Sequence, residues 1–312
     1  MDTQEEVDSF QKTLPPDCIE FLGKIKIIGD ITSLRGLSFL KSVGEIEMLL
    51  TDFSDLDGLQ NLTTIERNFS MSVQDHVVNL EQMSSLKYVG GDVYLSRMTV
   101  IKDMNGFNRL ESIKGNLIIS AADSLQTISG FNALQKISGQ LIITGNRKLS
   151  QISGFKQLDT IGKLLIIREN DSLTGLIGMK YLSTIGADFI IELNGALRNL
   201  EDLSNLKNIG ESISIKDNAT LKNVNGFEKI TKLNEGLFVR NNPALENIDH
   251  FKNIAAIKAG LELIENPKLY ACCGLFLAAS TNAIQGTISI SGNQNGCNSI
   301  QEIINAGIGN CD

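Results

Sequence analysis

The sequence predicts an all-β solenoid with short helical caps, and three observations predict it. Apolar residues recur in a fixed 24-residue register. Each repeat carries an apolar–x–apolar triplet with the period of a strand. Asparagine and glycine interrupt the apolar pattern at constant places. The chain has 312 residues, 42% of them hydrophobic and only 5% aromatic, with no Trp. Such a composition suits many similar thin packing layers better than one large core.

The register comes first. The residue that closes each repeat falls at Ile65, Val89, Ile113, Ile137, Ile161, Ile185, Ile209, Leu233 and Ile257, each 24 residues after the last. Two more columns keep the same spacing. One runs from Leu59 through Phe107, Phe131 and Phe155 to Phe251, the other from Leu62 through Leu134 to Ile254. A 22-residue step, Val43 to Ile65, precedes the run, and a 27-residue step, Leu261 to Ile288, follows it. A period in this range marks stacked supersecondary units.

Within a repeat the pattern reads L-x-I-x-x-N-x-x-L-x-x-I-x-G-F-x-x-L-x-x-I. The L-x-I part alternates as a half-buried strand does, which points Leu117 and Ile119, or Leu141 and Ile143, inward. The later three-residue spacings leave no room for several helical turns, so short strands and turns with about three sides per coil are expected. About ten coils of 22–27 residues stacked at ~4.8 Å would make a rod on the order of 50 Å long. Asn146, Asn170, Asn194, Asn218, Asn242 and Asn266 form a column of their own. An inward asparagine at a corner can bond backbone groups that the corner leaves unpaired. The glycines before Phe107, Phe131 and Phe155 are expected at corners of positive φ.

An open solenoid exposes apolar layers and strand edges, so its ends need covers. Thr3-Gln-Glu-Glu6 reads as a capping box opening a short helix whose apolar face is Val7, Phe10 and Leu14, stopped by Pro15-Pro16. Ser299-Ile-Gln-Glu302 is a second such box, and another short helix is expected around 275–279. The expected layout is an N-terminal cap over 1–22, repeats over 23–270 and a C-terminal cap over 271–312, in one continuous domain.

Four of the five cysteines, Cys272, Cys273, Cys297 and Cys311, fall in that last region. Two disulfides are expected there, Cys272 or Cys273 with Cys297 and the remaining one with Cys311. Adjacent cysteines lack the spacing of a zinc site, so no metal is expected. A disulfide cluster implies an oxidising compartment. Cys18 stands apart, and its partner is expected upstream of the first residue.

These residues, together with "GDITSLRGLSFLKSVG" (Gly29–Gly44) and "GCNSIQEI" (Gly296–Ile303), resemble the receptor L-domain family. That family includes the ligand-binding L domains of insulin- and epidermal-growth-factor-type receptors and many bacterial secreted or surface proteins, and the likeness is closer to the bacterial type. The resemblance implies a right-handed β-helix related to leucine-rich repeats, and an extracellular interaction scaffold. The cysteine-rich module, kinase and membrane segment of the growth-factor receptors have no counterpart here, so their signalling role does not carry over.

The remaining chemistry narrows the function. A net charge of −8 argues against a nucleic-acid partner. No apolar run is long enough to cross a membrane. No leader pattern opens the sequence, and a secreted or cell-surface protein whose leader has been removed is expected. Two histidines, His76 and His250, stand far apart, and no nucleophile elbow, phosphate loop or zinc-helix motif is present. The expectation is a non-enzymatic scaffold with no cofactor. Its binding face is the outward column between the two inward ones: Glu47, Ser70, Tyr94, Ile118, Ile142, Ile166, Ile190, Ser214, Phe238 and Glu262. From Tyr94 to Ile190 it reads as an exposed apolar ladder with polar rims, such as Asn116, Gln140 and Asp188 on one side and Ser120, Thr144, Arg168 and Glu192 on the other. Against a binding role stands the preference of β-branched residues for any sheet surface. A protein partner, with self-association through the same face, is the first expectation. A carbohydrate-binding module of a bacterial envelope is the alternative, for which Tyr94, Phe238 and Tyr270 are the exposed aromatics. An ice-binding array would need a column of outward threonines, and Thr144 stands alone in its column. Sequons occur at Asn61, Asn68, Asn170 and Asn218.

Overall fold

The computed structural model describes residues 1–307. Its backbone winds as a parallel-strand β-solenoid, about 11 turns in all, with a few short helices at the ends. It divides into two compact units, Met1–Leu158 and a second that begins at Asp159.

In the first unit six strands form the long face: β1 (Glu20–Gly29), β2 (Ser42–Thr51), β3 (Phe69–Gln74), β4 (Val93–Met98), β5 (Leu117–Ser120) and β6 (Leu141–Thr144). Each pairs in parallel with the next, and equivalent residues stay opposite one another, as Leu117 with Leu141 and Ile119 with Ile143. Two-residue strands make the other sides, for example Ser112–Ile113 against Lys136–Ile137 and Thr127–Ile128 against Gln151–Ile152. The coil therefore has about three sides, one formed by the long strands and two by the two-residue strands. Helix α1 (Gln4–Ser9) begins at Thr3, whose hydroxyl accepts from the Glu6 N–H at 3.3 Å. Glu6 reaches back to the Asp2 N–H rather than to that of Thr3. Val7 is fully buried, and Phe10 lies edge-on to Phe21.

The second unit repeats the scheme with β7 (Leu165–Arg168), β8 (Phe189–Glu192), β9 (Ile213–Lys216), β10 (Gly236–Arg240), β11 (Gly260–Ile264) and β12 (Thr287–Ser291). The 27-residue step is absorbed outside the ladder, since Leu261 still pairs with Ile288. Helix α2 (Phe276–Ser280) and helix α3 (Ile300–Gly307) pack on each other at the C-terminal end. Ser299 caps α3 by accepting from the Glu302 N–H, and Glu302 accepts from the N–H groups of Gly296 and Asn298. This cap leaves Ile288 exposed at the last strand. A disulfide joins Cys272 to Cys297 across 25 residues of sequence. By loop-closure entropy such a crosslink stabilises by about 3 kcal/mol. Cys273 is also disulfide-bonded, and Cys311, expected in the second bridge, lies outside the described residues. Cys18 is a free thiol, half-buried, with Sγ 3.0 Å from the Glu20 carbonyl.

Inside each unit the columns become layers. Leu141, Ile143, Leu149, Ile152, Phe155 and Leu158 are all fully buried. Each such side chain contributes roughly 1.5–3 kcal/mol relative to exposure. Phe107, Phe131 and Phe155 stack with centroids 5.0 and 5.1 Å apart. One expectation is corrected here. Positive φ belongs to Phe131 (62°) and Phe155 (58°), not to Gly130 and Gly154 before them. Those glycines are needed for closeness: a Cβ on Gly154 would sit 1.9 Å from the Gly130 carbonyl oxygen.

The long strand ends in a left-handed residue in coil after coil: Ala121 and Gly145 in the first unit, and Glu169, Leu193, Asp217, Asn241 and Glu265 in the second, with φ between 51° and 69°. For a residue with a Cβ this conformation costs roughly 1–2 kcal/mol. The asparagine column follows directly. Asn218 in the second unit shows how it works. Its Oδ1 accepts from the backbone N–H of Asn194 at 3.2 Å. Its Nδ2 donates to the carbonyls of Ile191, in the preceding coil, and Lys216, in its own coil, both at 3.0 Å. Asn194, Asn242 and Asn266 repeat these contacts, and all are fully buried. In the first unit Asn146 accepts from the Ala122 N–H and donates to the Ile119 carbonyl. Each asparagine thus closes the corner of the coil before it. Asn293, not foreseen from the repeat because the 27-residue step displaces it, closes the corner of Asn266 in the same way.

Asn218→Ala strands the buried N–H of Asn194 and takes one donor each from the Ile191 and Lys216 carbonyls, and is expected to cost about 1–3 kcal/mol; urea unfolding measures it. Glu169→Gly removes the Cβ from a left-handed, exposed position that Gly145 fills one repeat earlier. It is expected to be neutral or to stabilise by up to ~1 kcal/mol in the same assay.

Candidate functional site

The outward column of the long face is half-buried at every rung, from Glu47 to Glu262. This corrects the exposed ladder expected from sequence. Rungs on neighbouring parallel strands sit ~4.8 Å apart and cover each other's flanks. In the first unit Glu47, Ser70, Tyr94, Ile118 and Ile142 stand in register on β2 to β6. In the second, Ile166, Ile190, Ser214, Phe238 and Glu262 do so on β7 to β11.

The rims are less available than their polarity suggests. Asn116 accepts from the Gln140 N–H at 2.9 Å through Oδ1, Asp92 accepts from the Asn116 N–H at 2.6 Å, and Asn68 accepts from the Asp92 N–H at 2.8 Å. In the second unit Asp188 accepts from the Ser212 N–H. These side chains form a second corner ladder, directed opposite to the first: each closes the coil after it. A Cβ on Gly115 would lie 2.2 Å from Asp92 Oδ1, so glycine stands where this ladder crosses. The signal was a glycine followed by Asp, Asn or Gln before three consecutive strands, in Gly91-Asp92, Gly115-Asn116 and Gly139-Gln140. The other rim remains polar and unburdened by corners, with the Ser72 and Ser96 hydroxyls 2.9 Å apart.

The aromatic rungs differ in setting. Tyr94 donates its hydroxyl to Asp92 at 2.8 Å, and this bond, then burial, holds the phenol above its usual range. Phe238 lies with its ring over Gly236, whose added Cβ would meet ring atom Cζ at 2.2 Å. The Arg240 guanidinium stands 5.9 Å from the ring centroid. Tyr270 is 58% exposed. Ile177 and Tyr181, at 58% and 60%, were missed; they stand where other repeats carry polar residues.

Charge concentrates at the start of the first unit. Lys24 bonds Glu45 at 2.9 Å and also Glu47, and Arg67 reaches Glu45. The lysine holds the Glu47 carboxyl below its ordinary range, and Glu47, then Glu45, raises the lysine. His76 faces Asp52, and His250 is bonded to Glu228. Burial pushes the Glu228 carboxyl up, but its own backbone N–H and His250 outweigh this and leave it lowered. Among the described residues no three His, Cys, Asp or Glu side chains converge as a metal cluster. No helix there is long and apolar enough to cross a membrane. The sequons at Asn170 and Asn218 fall on fully buried corner residues.

Comparison with protein-family models and with curated proteins finds no match for the chain. The repeat β-helix therefore rests on the structure, and the receptor L-domain resemblance on the sequence motifs alone.

Proposed function

We propose that the protein is a non-enzymatic recognition scaffold of the secreted or cell-surface kind, binding a protein partner through the outward long face. The observation that carries this reading is a row of half-buried aliphatic rungs in each unit, Ile118 beside Ile142 in the first and Ile166 beside Ile190 in the second, held in register by their corners. A preformed apolar strip with a polar margin loses little conformational entropy on association. The Cys272–Cys297 bridge supports an oxidising compartment. The receptor L-domain resemblance supports an extracellular interaction role and a right-handed coil.

The test is a double variant, Ile118→Ser with Ile142→Glu. Both residues already occur in this column, at Ser70 and Glu47, so folding is expected to persist. The wild-type chain is screened against an array of extracellular protein domains, with its own oligomeric state measured by light scattering. The variant is expected to weaken the selected binder, or the self-association, at least tenfold at an unchanged Tm. Binding and oligomeric state both unchanged would mean that the rungs serve the sheet alone.

A further inference from the structure

The second unit carries a cleft that the apolar ladder does not account for. Its volume is about 250 Å³, and Glu192, Ser214, Lys216, Phe238 and Arg240 line it. The cleft arises from register. Ile190, Ser214 and Phe238 are consecutive rungs, so the small serine leaves a notch between an isoleucine and a phenylalanine. Glu192, Lys216 and Arg240 are consecutive residues of the adjoining rim and form its polar wall.

The chemistry of that wall is specific. Glu192 only accepts hydrogen bonds, and Lys216 and Arg240 only donate. Both cations already hold an anion, Lys216 facing Asp217 at 3.5 Å and Arg240 paired with Glu262, and the Ser214 hydroxyl donates to Glu192 at 3.3 Å. With three carboxylates against two cations the set carries a net charge of −1, so an added carboxylate or phosphate is repelled, while Lys216 and Arg240 on either side of the wall disfavour an ammonium beside Glu192. What fits is an uncharged ligand that donates and accepts at neighbouring atoms and offers an apolar face to Phe238. Vicinal hydroxyls on a ring meet all three conditions, since one can donate to Glu192 while the next accepts from Lys216 or Arg240. The volume suits one such ring, and the opening to solvent suits a residue within a longer chain.

We infer that this cleft binds a single neutral pyranose residue of a glycan, with Phe238 as its platform, Glu192 as acceptor for its hydroxyls, and Lys216 and Arg240 as donors. None of the cleft's lining residues is altered in the Ile118→Ser, Ile142→Glu variant tested above, so either reading can fail without the other.

The experiment uses the full chain and chemical-shift titration with glucose, galactose, mannose and N-acetylglucosamine, and with glucuronic acid and ethylammonium as charged controls. Saturable shifts at Ser214, Lys216 and Arg240 with at least one neutral sugar are expected, with weaker or no response to the controls. Ser214→Ile fills the notch with the residue that Ile166 and Ile190 place in the same column, so it is expected to fold as the wild type does. It is expected to weaken the neutral sugar at least tenfold, and Glu192→Gln to weaken it severalfold. No saturable shift with any neutral sugar, a preference for the charged controls, or full retention of binding in Ser214→Ile would each overturn the assignment.

Discussion

The hydrogen bonds from each corner asparagine to the preceding coil are the interaction on which the rest depends. A three-sided coil must turn sharply every few residues, and each turn takes backbone groups out of the parallel ladder. In this protein the long strand ends in a left-handed residue that carries a side chain in most coils, an unfavourable conformation for anything but glycine. Buried N–H and carbonyl groups at that point would each cost more than one ordinary hydrogen bond gains. One asparagine side chain accepts from one such group and donates to others, and its amide does so from separate atoms, an acceptor oxygen and an NH2 group with two donors, which a hydroxyl of similar size cannot.

From this follows the regularity of the remainder. Corners fixed at the same place in each coil hold equivalent residues opposite one another, so apolar columns become layers and Phe107, Phe131 and Phe155 can stack nearly parallel. The second ladder, through Asn68, Asp92 and Asn116, fixes the start of the long strand as the first fixes its end. A strand clamped at both ends presents its outward residues in a rigid row. The face is therefore shaped before any ligand arrives, and a single small residue in the row, Ser214, is enough to make a cleft.

Much of this was legible in the sequence, because a 24-residue repeat exposes each structural role many times over. The inward columns, the asparagine corners, the Thr3 and Ser299 helix caps and a bridge from Cys272 or Cys273 to Cys297 follow from residue type and spacing, although Glu6 and Glu302 bond N–H groups other than those of the capping residues. What escaped has physical reasons. Gly130 and Gly154 were read as conformational when they are steric, because a sequence records that a side chain is missing and not what occupies its space. Asn116 and Asp188 were read as rim when they are corners, because a polar residue beside a strand looks the same whether it faces water or a backbone N–H. The rungs were read as exposed because alternation predicts direction and not the cover given by neighbours. The cleft depends on a five-residue coincidence across three coils, 192, 214, 216, 238 and 240, that no single repeat displays.

Native-state amide hydrogen exchange at the backbone N–H of Asn194, Asn218 and Asn242 tests the central claim most directly. Each of these groups is bonded to a side-chain oxygen of the next coil and to no strand. If the asparagine ladder closes the solenoid, they exchange as slowly as the buried ladder amides of Ile191 and Ile215, through global unfolding alone. Exchange at the rate of the exposed turns, with the strand amides still protected, would show that the corners open independently and that the ladder does not hold the coils.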